Sequence, residues 1–430
     1  MKRRIRPSQP DKEITFLWRE DHEHAELVEG EKGLEFSFKR KGQIEYCPEY
    51  AGFRPVQWLG AYVNVGAARV PKMAEAYGST EQLLSEIRAF IYRYYDCDDN
   101  FLSVAALYAL HTWVYEKFHA LPYLRFIGLP GSGKSRGTEV IGAACYHPLV
   151  IAGAATSAPM FRMIEVFGGT LLMDEADFAK SQIGGDIVKI LNCGYQQGLP
   201  VSRMEQNDEG KLEPKIYDVF GPKIINGRKA FQDDATESRC IQYTPKITTR
   251  TDLPFHLGKE FKKEASEIQN KALQWRFDHL NTVELDASFR LSGVRPRTNQ
   301  ILGPLVTICG LLNGGKSRYM GDLRSYAELM ERRSMDERKE SWEARILTEY
   351  ERLRTSQANA PTCGEIAKAV QETWGVEDST LVWLNAVKVG RIFREMGVHT
   401  KHVKRGSIIE IEEARRNSLY ERFGIGGDGG

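Results

Sequence analysis

The sequence feature that most constrains the fold is the loop GLPGSGKS at residues 128–135, because of what lies on either side of it. The apolar run Tyr123–Ile127 precedes the loop and is typical of a buried strand, and a helix is predicted to begin near Lys134. Glycines let backbone N–H groups turn inward around phosphate oxygens, and the helix adds its positive end. The order strand, loop, helix therefore predicts a phosphate site on an α/β sheet.

The chemistry of such a loop gives each part of it a task. The ammonium group of Lys134 would reach the β- and γ-phosphates of ATP, and the hydroxyl group of Ser135 would ligate Mg²⁺. The sequence therefore predicts ATP and Mg²⁺ as cofactors. The other candidate nucleotide contacts within the loop are Gly128, Pro130, Gly131, Ser132 and Gly133.

A second stretch, Gly310–Ser317 (GLLNGGKS), has the same spacing of glycines, lysine and serine. It follows the helix-like run ILGPLVTICGLL instead of a strand, and no apolar strand with an acidic end comes after it. The context indicates a helix end and a turn. We therefore predict that Lys316 has no part in nucleotide binding.

An acidic pair, Asp174 and Glu175, follows the apolar residues TLLM at 170–173. In a hydrolysing P-loop enzyme, Asp174 would hold the magnesium ion through water and Glu175 would polarise the attacking water. The alternative is an acidic strand end that faces solvent. The four apolar residues before the pair argue for the first interpretation, because they predict a buried strand that ends at the phosphate site.

Strands and helices alternate through the middle of the chain, which predicts a parallel sheet with helices on both faces. Two helices with apolar residues at three-to-four spacing precede the first strand, beginning near Gln82. The charged stretch 316–345 suits a connecting helix or a linker. The predicted strands lie at 123–127, 149–153, 170–174 and 218–225, and the predicted helices follow Lys134 and cover 158–167 and 186–195.

Composition limits the class of protein. With 430 residues the chain is long enough for about two to four domains. The net charge of +1 means that any nucleic-acid surface must be a local patch. Seven scattered cysteines without metal-ligand spacing make a structural zinc site improbable and fit a reducing compartment. No apolar segment follows the charged N-terminus, and the run 101–114 is too short to span a bilayer, so we expect a cytoplasmic protein without membrane contact.

The last hundred residues read as three helices followed by a strand after the turn Lys404-Arg405-Gly406, the order of a winged-helix domain. Residues 1–75 carry no recognisable chemistry. The expected architecture is an α/β AAA+ P-loop core with a helical lid, an N-terminal domain and a C-terminal winged helix. The expected boundaries are 1–75 for the N-terminal domain, 76–250 for the ATPase core with its leading helices, 251–320 for the lid, 321–345 for the linker and 346–425 for the winged helix.

Several ordered motifs together resemble a known family. GLPGSGKS, AATSAPMFRMIEVFGGTLLMDEAD, ILNCGYQQGLPVSR and FGPKIINGRKAFQDDATESRCI are similar to the uncharacterised ATPases associated with primases on phages, plasmids and chromosomal islands. That family is related to the superfamily-three and minichromosome-maintenance helicases, which are hexameric AAA+ motors. The resemblance covers about residues 80–315. The chain departs from the family because it has no primase domain and because residues 1–75 match nothing in it.

The resemblance implies roles for three further polar residues. Asn226 matches the sensor at the tip of the strand between the loop strand and the acidic strand, although it could be an ordinary loop residue. Arg239 matches the arginine finger that reaches a neighbouring subunit's γ-phosphate, and a surface salt bridge is its alternative. Arg297 matches the lid arginine that contacts the γ-phosphate of the bound nucleotide, with Arg295 as the near alternative.

Two regions are candidates for contact with DNA. Two arms with alternating apolar residues flank a turn at 207–210, which predicts a hairpin. In the helicases that the chain resembles, such a hairpin enters the central pore, and Arg203 and Lys211 would be its contacts; an exposed loop with solvated charges is the alternative. The predicted recognition helix and wing carry a basic patch made of Lys388, Arg391, Arg394, Lys401, Lys404 and Arg405. The alternative is a solvated surface or one that binds protein.

These observations favour an ATP-hydrolysing ring, expected to be a hexamer, that acts as a DNA helicase in the replication of a mobile genetic element. The expected partners are single-stranded or forked DNA, further copies of the chain, and a primase or another replication protein. The first alternative is an ATP-dependent loader or remodeller of replication proteins. The second is a nucleotide-switched regulator that binds DNA.

Overall fold

A computed structural model of the chain describes residues 13–14, 16–18, 24–151, 157–174, 182–206, 210–229, 231, 233–285, 290–312, 317–374 and 384–425. The chain divides into two units, Met1–Ala327 and Glu328–Gly430. None of the described helices has both the length and the apolar character needed to cross a membrane.

The first unit begins with short strands that form a small antiparallel sheet. Four of them pair in the order β2-β3-β4-β5, and β1 pairs with β6 in parallel. Helix α1 (Leu59–Asn64) follows. The strands are β1 (Glu13–Ile14), β2 (Phe16–Trp18), β3 (His24–Gly30), β4 (Gly33–Arg40), β5 (Gln43–Cys47) and β6 (Arg54–Pro55).

Two helices lead into the main sheet, as predicted. Helix α2 (Thr80–Tyr94) begins after Ser79, whose side chain accepts a hydrogen bond from the Gln82 backbone N–H. Helix α3 (Asp99–His111) is followed by a 3-10 helix (Thr112–Lys117). Every residue of α3 from Phe101 onward is buried, which explains why this run is apolar on all sides without being a membrane span.

The main sheet has five parallel strands in the order β13-β7-β12-β9-β8. The mixed α/β fold with a parallel sheet is thus confirmed, and so is the prediction that the strand carrying Asn226 lies between the loop strand and the acidic strand. The elements are β7 (Tyr123–Ile127), α4 (Lys134–Ala144), β8 (Pro148–Ile151), α5 (Ser157–Phe167), β9 (Thr170–Met173), α6 (Gln182–Cys193), β10 (Val201–Gln206), β11 (Leu212–Tyr217), β12 (Lys223–Gly227), α7 (Asp234–Glu237) and β13 (Cys240–Tyr243).

The predicted strand 218–225 begins too early. Strand β12 starts at Lys223, because Pro222 has no N–H to donate to a neighbouring strand. The carbonyl oxygens of Val219 and Gly221 accept hydrogen bonds from the Lys223 ammonium group, at 3.0 and 2.9 Å, instead of from the backbone N–H groups of a neighbouring strand. Helix α6, by contrast, starts at Gln182, earlier than the predicted residue 186.

The small antiparallel sheet shares a hydrophobic core with the main sheet. Ala25, Leu27 and Phe36 lie in one buried cluster with Leu149 and Leu171. The unit continues with α8 (Lys259–His279), α9 (Pro296–Gly310) and α10 (Arg318–Lys339), and α10 extends into the second unit. Gly310 is the last residue of α9, and residues 313–316 of the second glycine-lysine match lie outside the described residues.

A buried ionic network joins the small sheet to α8. The Arg276 guanidinium in α8 donates to the Glu26 carboxylate in β3 at 2.6 Å and to the Glu116 carboxylate at 2.8 Å. The Tyr146 hydroxyl also donates to Glu26, at 2.6 Å. Arg276 and Glu26 are both fully buried. Buried charges of this kind are tolerated only when they are paired and hydrogen-bonded.

The second unit contains α11 (Trp342–Ser356), α12 (Cys363–Trp374), α13 (Ala386–Glu395), β14 (Thr400–Val403), β15 (Gly406–Ile409) and α14 (Glu413–Phe423). A capping box starts α12, since the Thr362 and Glu365 side chains each accept a hydrogen bond from the other's backbone N–H. Strands β14 and β15 form a hairpin around Lys404-Arg405, and Thr362 forms an antiparallel bridge with Ile408 on β15. Within the charged stretch predicted as a connecting helix or a linker, α10 covers Arg318–Lys339.

Candidate nucleotide site

The loop between β7 and α4 has the backbone conformation that its glycines allow. Gly131 and Gly133 adopt φ angles of 80° and 91°, a left-handed conformation that other residues rarely tolerate. Gly133 immediately precedes α4, so the amino end of an 11-residue helix opens at the loop. The Lys134 ammonium group donates to the carbonyl oxygens of Gly128 and Leu129, both at 2.7 Å, and therefore lies over the loop.

The loop fits a phosphate group. Within the described chain, the buried Ser132 hydroxyl oxygen has no hydrogen-bond partner. A buried hydroxyl group without a partner costs free energy that a phosphate oxygen would offset. This hydroxyl, the Lys134 ammonium group and the free N–H groups at the start of α4 are the donors that a phosphate chain requires. The fit rests on these donors together with the glycine conformations.

The next feature is a triad of polar side chains at the carboxyl end of the sheet. The Ser135 hydroxyl donates to Asp174 Oδ1 at 3.2 Å, and Asn226 Nδ2 donates to the same oxygen at 2.5 Å. Asn226 is 1% exposed and also lies 3.4 Å from the Thr138 hydroxyl oxygen. Ser135 and Asp174 thus present oxygen atoms side by side, and oxygen ligands suit Mg²⁺. Glu175 lies outside the described residues.

Close packing underneath fixes the start of α4. A Cβ atom on Gly137 would lie 2.8 Å from the Tyr95 ring and 2.9 Å from the Phe126 ring. Any larger residue would force α4 away from β7. The glycine two positions after Ser135 therefore allows the helix to approach the sheet closely enough to hold Ser135 beside Asp174.

Arg239 lies at the opposite end of the sheet. Its carbonyl oxygen accepts a hydrogen bond from the Tyr123 backbone N–H, and Tyr123 is the first residue of β7. The whole of β7 thus separates Arg239 from the loop of the same chain, a length of about 15 Å at about 3.3 Å per residue. The Arg239 guanidinium donates to Asn192 Oδ1 at 2.6 Å and lies 3.9 Å from the centre of the Tyr195 ring.

The structure brings Arg297 next to Arg239. The Arg297 guanidinium donates to the Ser238 hydroxyl at 3.0 Å. Burial and the nearby positive charge of Arg239 lower the pKa of Arg297. Two arginines are therefore held together at the amino end of β13, and Arg297 is not near Lys134 of its own chain. Arg295, the alternative, directly precedes α9.

The predicted hairpin is present as the antiparallel pair β10–β11, with residues 207–209 outside the described residues. Arg203 faces the protein interior: its guanidinium lies 3.3 Å from the Asp186 carboxylate and 4.8 Å from the centre of the Phe161 ring. Lys211 is exposed at the end of the hairpin. The outward face of the two strands exposes the apolar residues Met204, Leu212 and Ile216 beside the polar Ser202 and Gln206.

A buried lysine holds the base of this hairpin. Besides the carbonyl groups of Val219 and Gly221, the Lys223 ammonium group donates to the Gly194 carbonyl oxygen at 3.3 Å. These three carbonyl groups belong to the segments that enter and leave the hairpin, and Lys223 is the first residue of β12. Burial lowers the pKa of Lys223 to about 7.

The basic residues of the second unit lie on its surface. Lys388, Arg391 and Arg394 are exposed on α13, and Arg391 forms an ion pair with Glu395 at 2.9 Å. The remaining three are exposed on the adjacent hairpin: Lys401, Lys404 and Arg405. The Arg405 guanidinium donates to the Ala360 carbonyl oxygen. Asn385 caps α13 by accepting a hydrogen bond from the Lys388 N–H at 3.0 Å.

No protein-family model matches the chain, and no curated protein matches it. Among solved structures it is similar to one described as "SCCmec type IV Cch - active helicase", at 12% identity and a TM-score of 0.40, over 97% of this chain and 76% of that one. It is also similar to the apo NrS-1 C-terminal region, at 11% identity and a TM-score of 0.35, over 90% and 96%. A third similar structure is the Aeropyrum pernix ORC1 protein in complex with DNA, at 12% identity and a TM-score of 0.24, over 78% of this chain and 95% of that one. Likenesses at this level assign no role to any residue.

Two residues near the site were not predicted from the sequence, Thr138 and Arg69. Thr138 could have been found, because it lies one helical turn after Lys134 and therefore on the same face of α4. Arg69 could not, since residues 66–69 come beside α4 only through long-range pairing with β8. The sequence around Arg69 contains no motif that predicts this position.

Proposed function

We propose that this chain is a ring-forming AAA+ ATPase, expected to be a hexamer, that acts as a replicative DNA helicase of a mobile genetic element. The observation that carries the proposal is the convergence of Ser135, Asp174 and Asn226 beside the glycine loop, at one end of a parallel sheet. This arrangement combines donors for phosphate oxygens with oxygen ligands for a divalent cation.

In this proposal each side chain has a defined task in ATP hydrolysis. Lys134 leaves the carbonyl oxygens of Gly128 and Leu129 and neutralises the β- and γ-phosphates. Ser135 and Asp174 hold Mg²⁺, which when bound offsets the negative charge that develops on the phosphate oxygens. Asn226 orients the attacking water, and its N–H bond to Asp174 fixes the amide group in position. Glu175 takes the proton from that water.

The pair of arginines at the far end of the sheet supports the ring. Neither Arg239 nor Arg297 lies near the phosphate loop of its own chain, and both are held close together despite their like charge. A nucleotide bound to an adjacent subunit would supply the negative charge that such a pair needs. We propose that both arginines act on the neighbour's γ-phosphate, where an arginine stabilises charge in the transition state.

For DNA contact we propose the exposed Lys211 of the hairpin and the basic residues of α13 and β14–β15. The order of three helices and a hairpin, together with the pairing of Thr362 with Ile408, supports a winged-helix domain in the second unit. Its exposed cations would bind the phosphate backbone of single-stranded or forked DNA. Arg203 is left out of the proposed contacts, because it is paired with Asp186.

A second function, an ATP-dependent loader or remodeller of replication proteins, is favoured by one observation. The outward face of the hairpin exposes Met204, Leu212 and Ile216, which suit contact with a protein such as a primase better than contact with phosphate groups. Strand displacement distinguishes the two functions, since a loader binds DNA without separating its strands.

The proposal is tested by measuring ATP hydrolysis with and without single-stranded DNA, together with unwinding of a forked duplex. We expect DNA to stimulate hydrolysis and the duplex to be separated. Lys134→Ala should abolish both activities, whereas the matched control Lys316→Ala, in the second glycine-lysine match, should keep them. Equal loss in the two variants would contradict the assignment of the site, and stimulation without unwinding would favour the loader.

A further inference from the structure

A cleft of about 210 Å³ opens beside the Ser135–Asp174 pair. Helix α4 and strands β8 and β9 form two sides of the cleft, and residues 66–69 form another. Its polar lining consists of Arg69, Ser135, Thr138, Glu139 and Asp174. The cleft therefore shares two side chains with the proposed magnesium site and adds one cation that the mechanism above does not use.

The backbone around Arg69 is firmly attached to the main sheet. Ala68 forms an antiparallel bridge with Leu149 of β8. The Arg69 N–H donates to the Pro148 carbonyl oxygen at 3.1 Å, and the Val150 N–H donates to the Ala67 carbonyl oxygen at 2.8 Å. Residues 67–69 thus extend the edge of the sheet, and Arg69 has a fixed origin beside α4.

The Arg69 side chain lacks an anionic partner of its own. Across the described residues, its guanidinium makes no hydrogen bond or ion pair; the guanidinium carbon lies over the Phe261 ring, 5.5 Å from the ring centre. Burial lowers the pKa of Arg69, and the negative charge of Glu139 opposes that effect only in part. Arginine does not lose its proton in proteins, so this half-buried guanidinium stays charged and can gain charge-assisted hydrogen bonds from an anion in the cleft.

We propose that Arg69 and Thr138 hold the inorganic phosphate that ATP cleavage releases, on its way out of the site. This inference rests on the proposed ATPase function. In hydrolysis the oxygen of the attacking water bonds to the γ-phosphorus and its proton passes to Glu175, while the bond from the γ-phosphorus to the bridging oxygen breaks and that oxygen stays with ADP. The phosphate is then set free beside Ser135 and Asp174, where the cleft begins. The planar guanidinium matches two phosphate oxygens. Thr138 accepts from Asn226, so its hydroxyl hydrogen is available to donate to a third oxygen.

The test is calorimetric titration of inorganic phosphate into protein saturated with ADP and Mg²⁺. We expect Arg69→Ala to weaken phosphate binding by about tenfold or more, the effect of losing a charge-assisted hydrogen bond, while ADP affinity stays unchanged. Arg69→Lys should restore part of the affinity. The matched control is Arg54→Ala, because Arg54 lies in the same part of the chain, is exposed, and pairs only with Glu49 in the described structure.

A second measurement separates phosphate release from cleavage. Single-turnover cleavage of ATP should be unchanged in Arg69→Ala, and inhibition of steady-state hydrolysis by added phosphate should weaken by the same factor as the calorimetric affinity. Thermal unfolding checks the fold of each variant, and Arg69→Gln, which keeps part of the aliphatic side chain, takes the place of Arg69→Ala if the latter unfolds.

The outcomes distinguish the two proposals. If the wild-type protein binds no ADP with Mg²⁺, both are wrong. If both variants still bind and hydrolyse ATP, and Arg69→Ala binds phosphate as tightly as Arg54→Ala does, the role proposed for Arg69 is wrong and the ATPase function stands. Slower single-turnover cleavage at unchanged phosphate affinity would also overturn it, since Arg69 would then act on the uncleaved γ-phosphate.

Discussion

Replacing Arg276 with methionine should destabilise the first unit by about 3–5 kcal/mol, the usual cost of breaking one side of a buried ion pair. Methionine fills a similar space, so packing is largely kept. Glu26, however, remains buried, and among the described residues only the Tyr146 hydroxyl still donates to its carboxylate; Glu116 and the Trp113 carbonyl group lose their contacts with the guanidinium. The loss therefore comes mainly from an uncompensated charge.

The pH dependence identifies that cause. Burial already raises the pKa of Glu26, and Arg276 opposes this effect. In Arg276→Met the pKa of Glu26 lies still further above its value in the unfolded chain, so the folded protein binds the proton more tightly. The free energy of unfolding of the variant then falls as pH rises from the unfolded pKa through the folded one. The destabilisation should be smaller at pH 5 than at pH 8.

Urea unfolding followed by circular dichroism at the two pH values measures the effect. The second unit serves as an internal reference, because its core contains none of these residues. The double variant Glu26→Gln/Arg276→Met removes the stranded charge and should recover part of the stability, with little pH dependence. Equal destabilisation at pH 5 and pH 8, with no recovery in the double variant, would refute the reasoning and point to lost packing.

Two further predictions concern the ring and the DNA. Arg239→Ala should bind ATP but hydrolyse it about a thousandfold more slowly. Mixing it with Lys134→Ala should restore ATP hydrolysis at those subunit interfaces where an intact Lys134 of one subunit meets an intact Arg239 of its neighbour. If a sizing column shows mixed oligomers but hydrolysis is not restored, Arg239 does not act between subunits. Replacing Lys388, Arg391 and Arg394 with glutamine should reduce the slope of the logarithm of DNA affinity against the logarithm of salt concentration by about one unit per lost phosphate contact. The control Lys368→Gln, on the neighbouring helix α12, should leave this slope unchanged.

The sequence was sufficient to predict the parallel sheet and the meeting of its functional side chains. Alternating apolar strands and helices predicted the layers, and the carboxyl ends of parallel strands share one edge, so Asp174 had to lie near the loop. The bond between Asn226 and Asp174 follows from the strand order, which the family resemblance implied and the structure confirmed.

Other features depend on contacts that no local pattern encodes. Alternation along β10 shows that Arg203 and Met204 point to opposite faces, but only the position of α5 and α6 decides which face is inward. The sharing of one core between the small sheet and the main sheet depends on Leu149 and its neighbours, more than a hundred residues beyond the small sheet. The role proposed for Arg69 has the same origin.

The attachment of the hairpin at Lys223 has a mechanical consequence. Lys223 and Asn226 lie on the same short strand, so a displacement of that strand moves the amide beside Asp174 and the carbonyl groups at the hairpin base together. Each hairpin strand has six residues and spans about 20 Å, so a tilt of about 5° at the base moves the far end by about 2 Å. The Lys223 ammonium group is thus one attachment point of the hairpin, and the Arg203–Asp186 ion pair on its inward face is another.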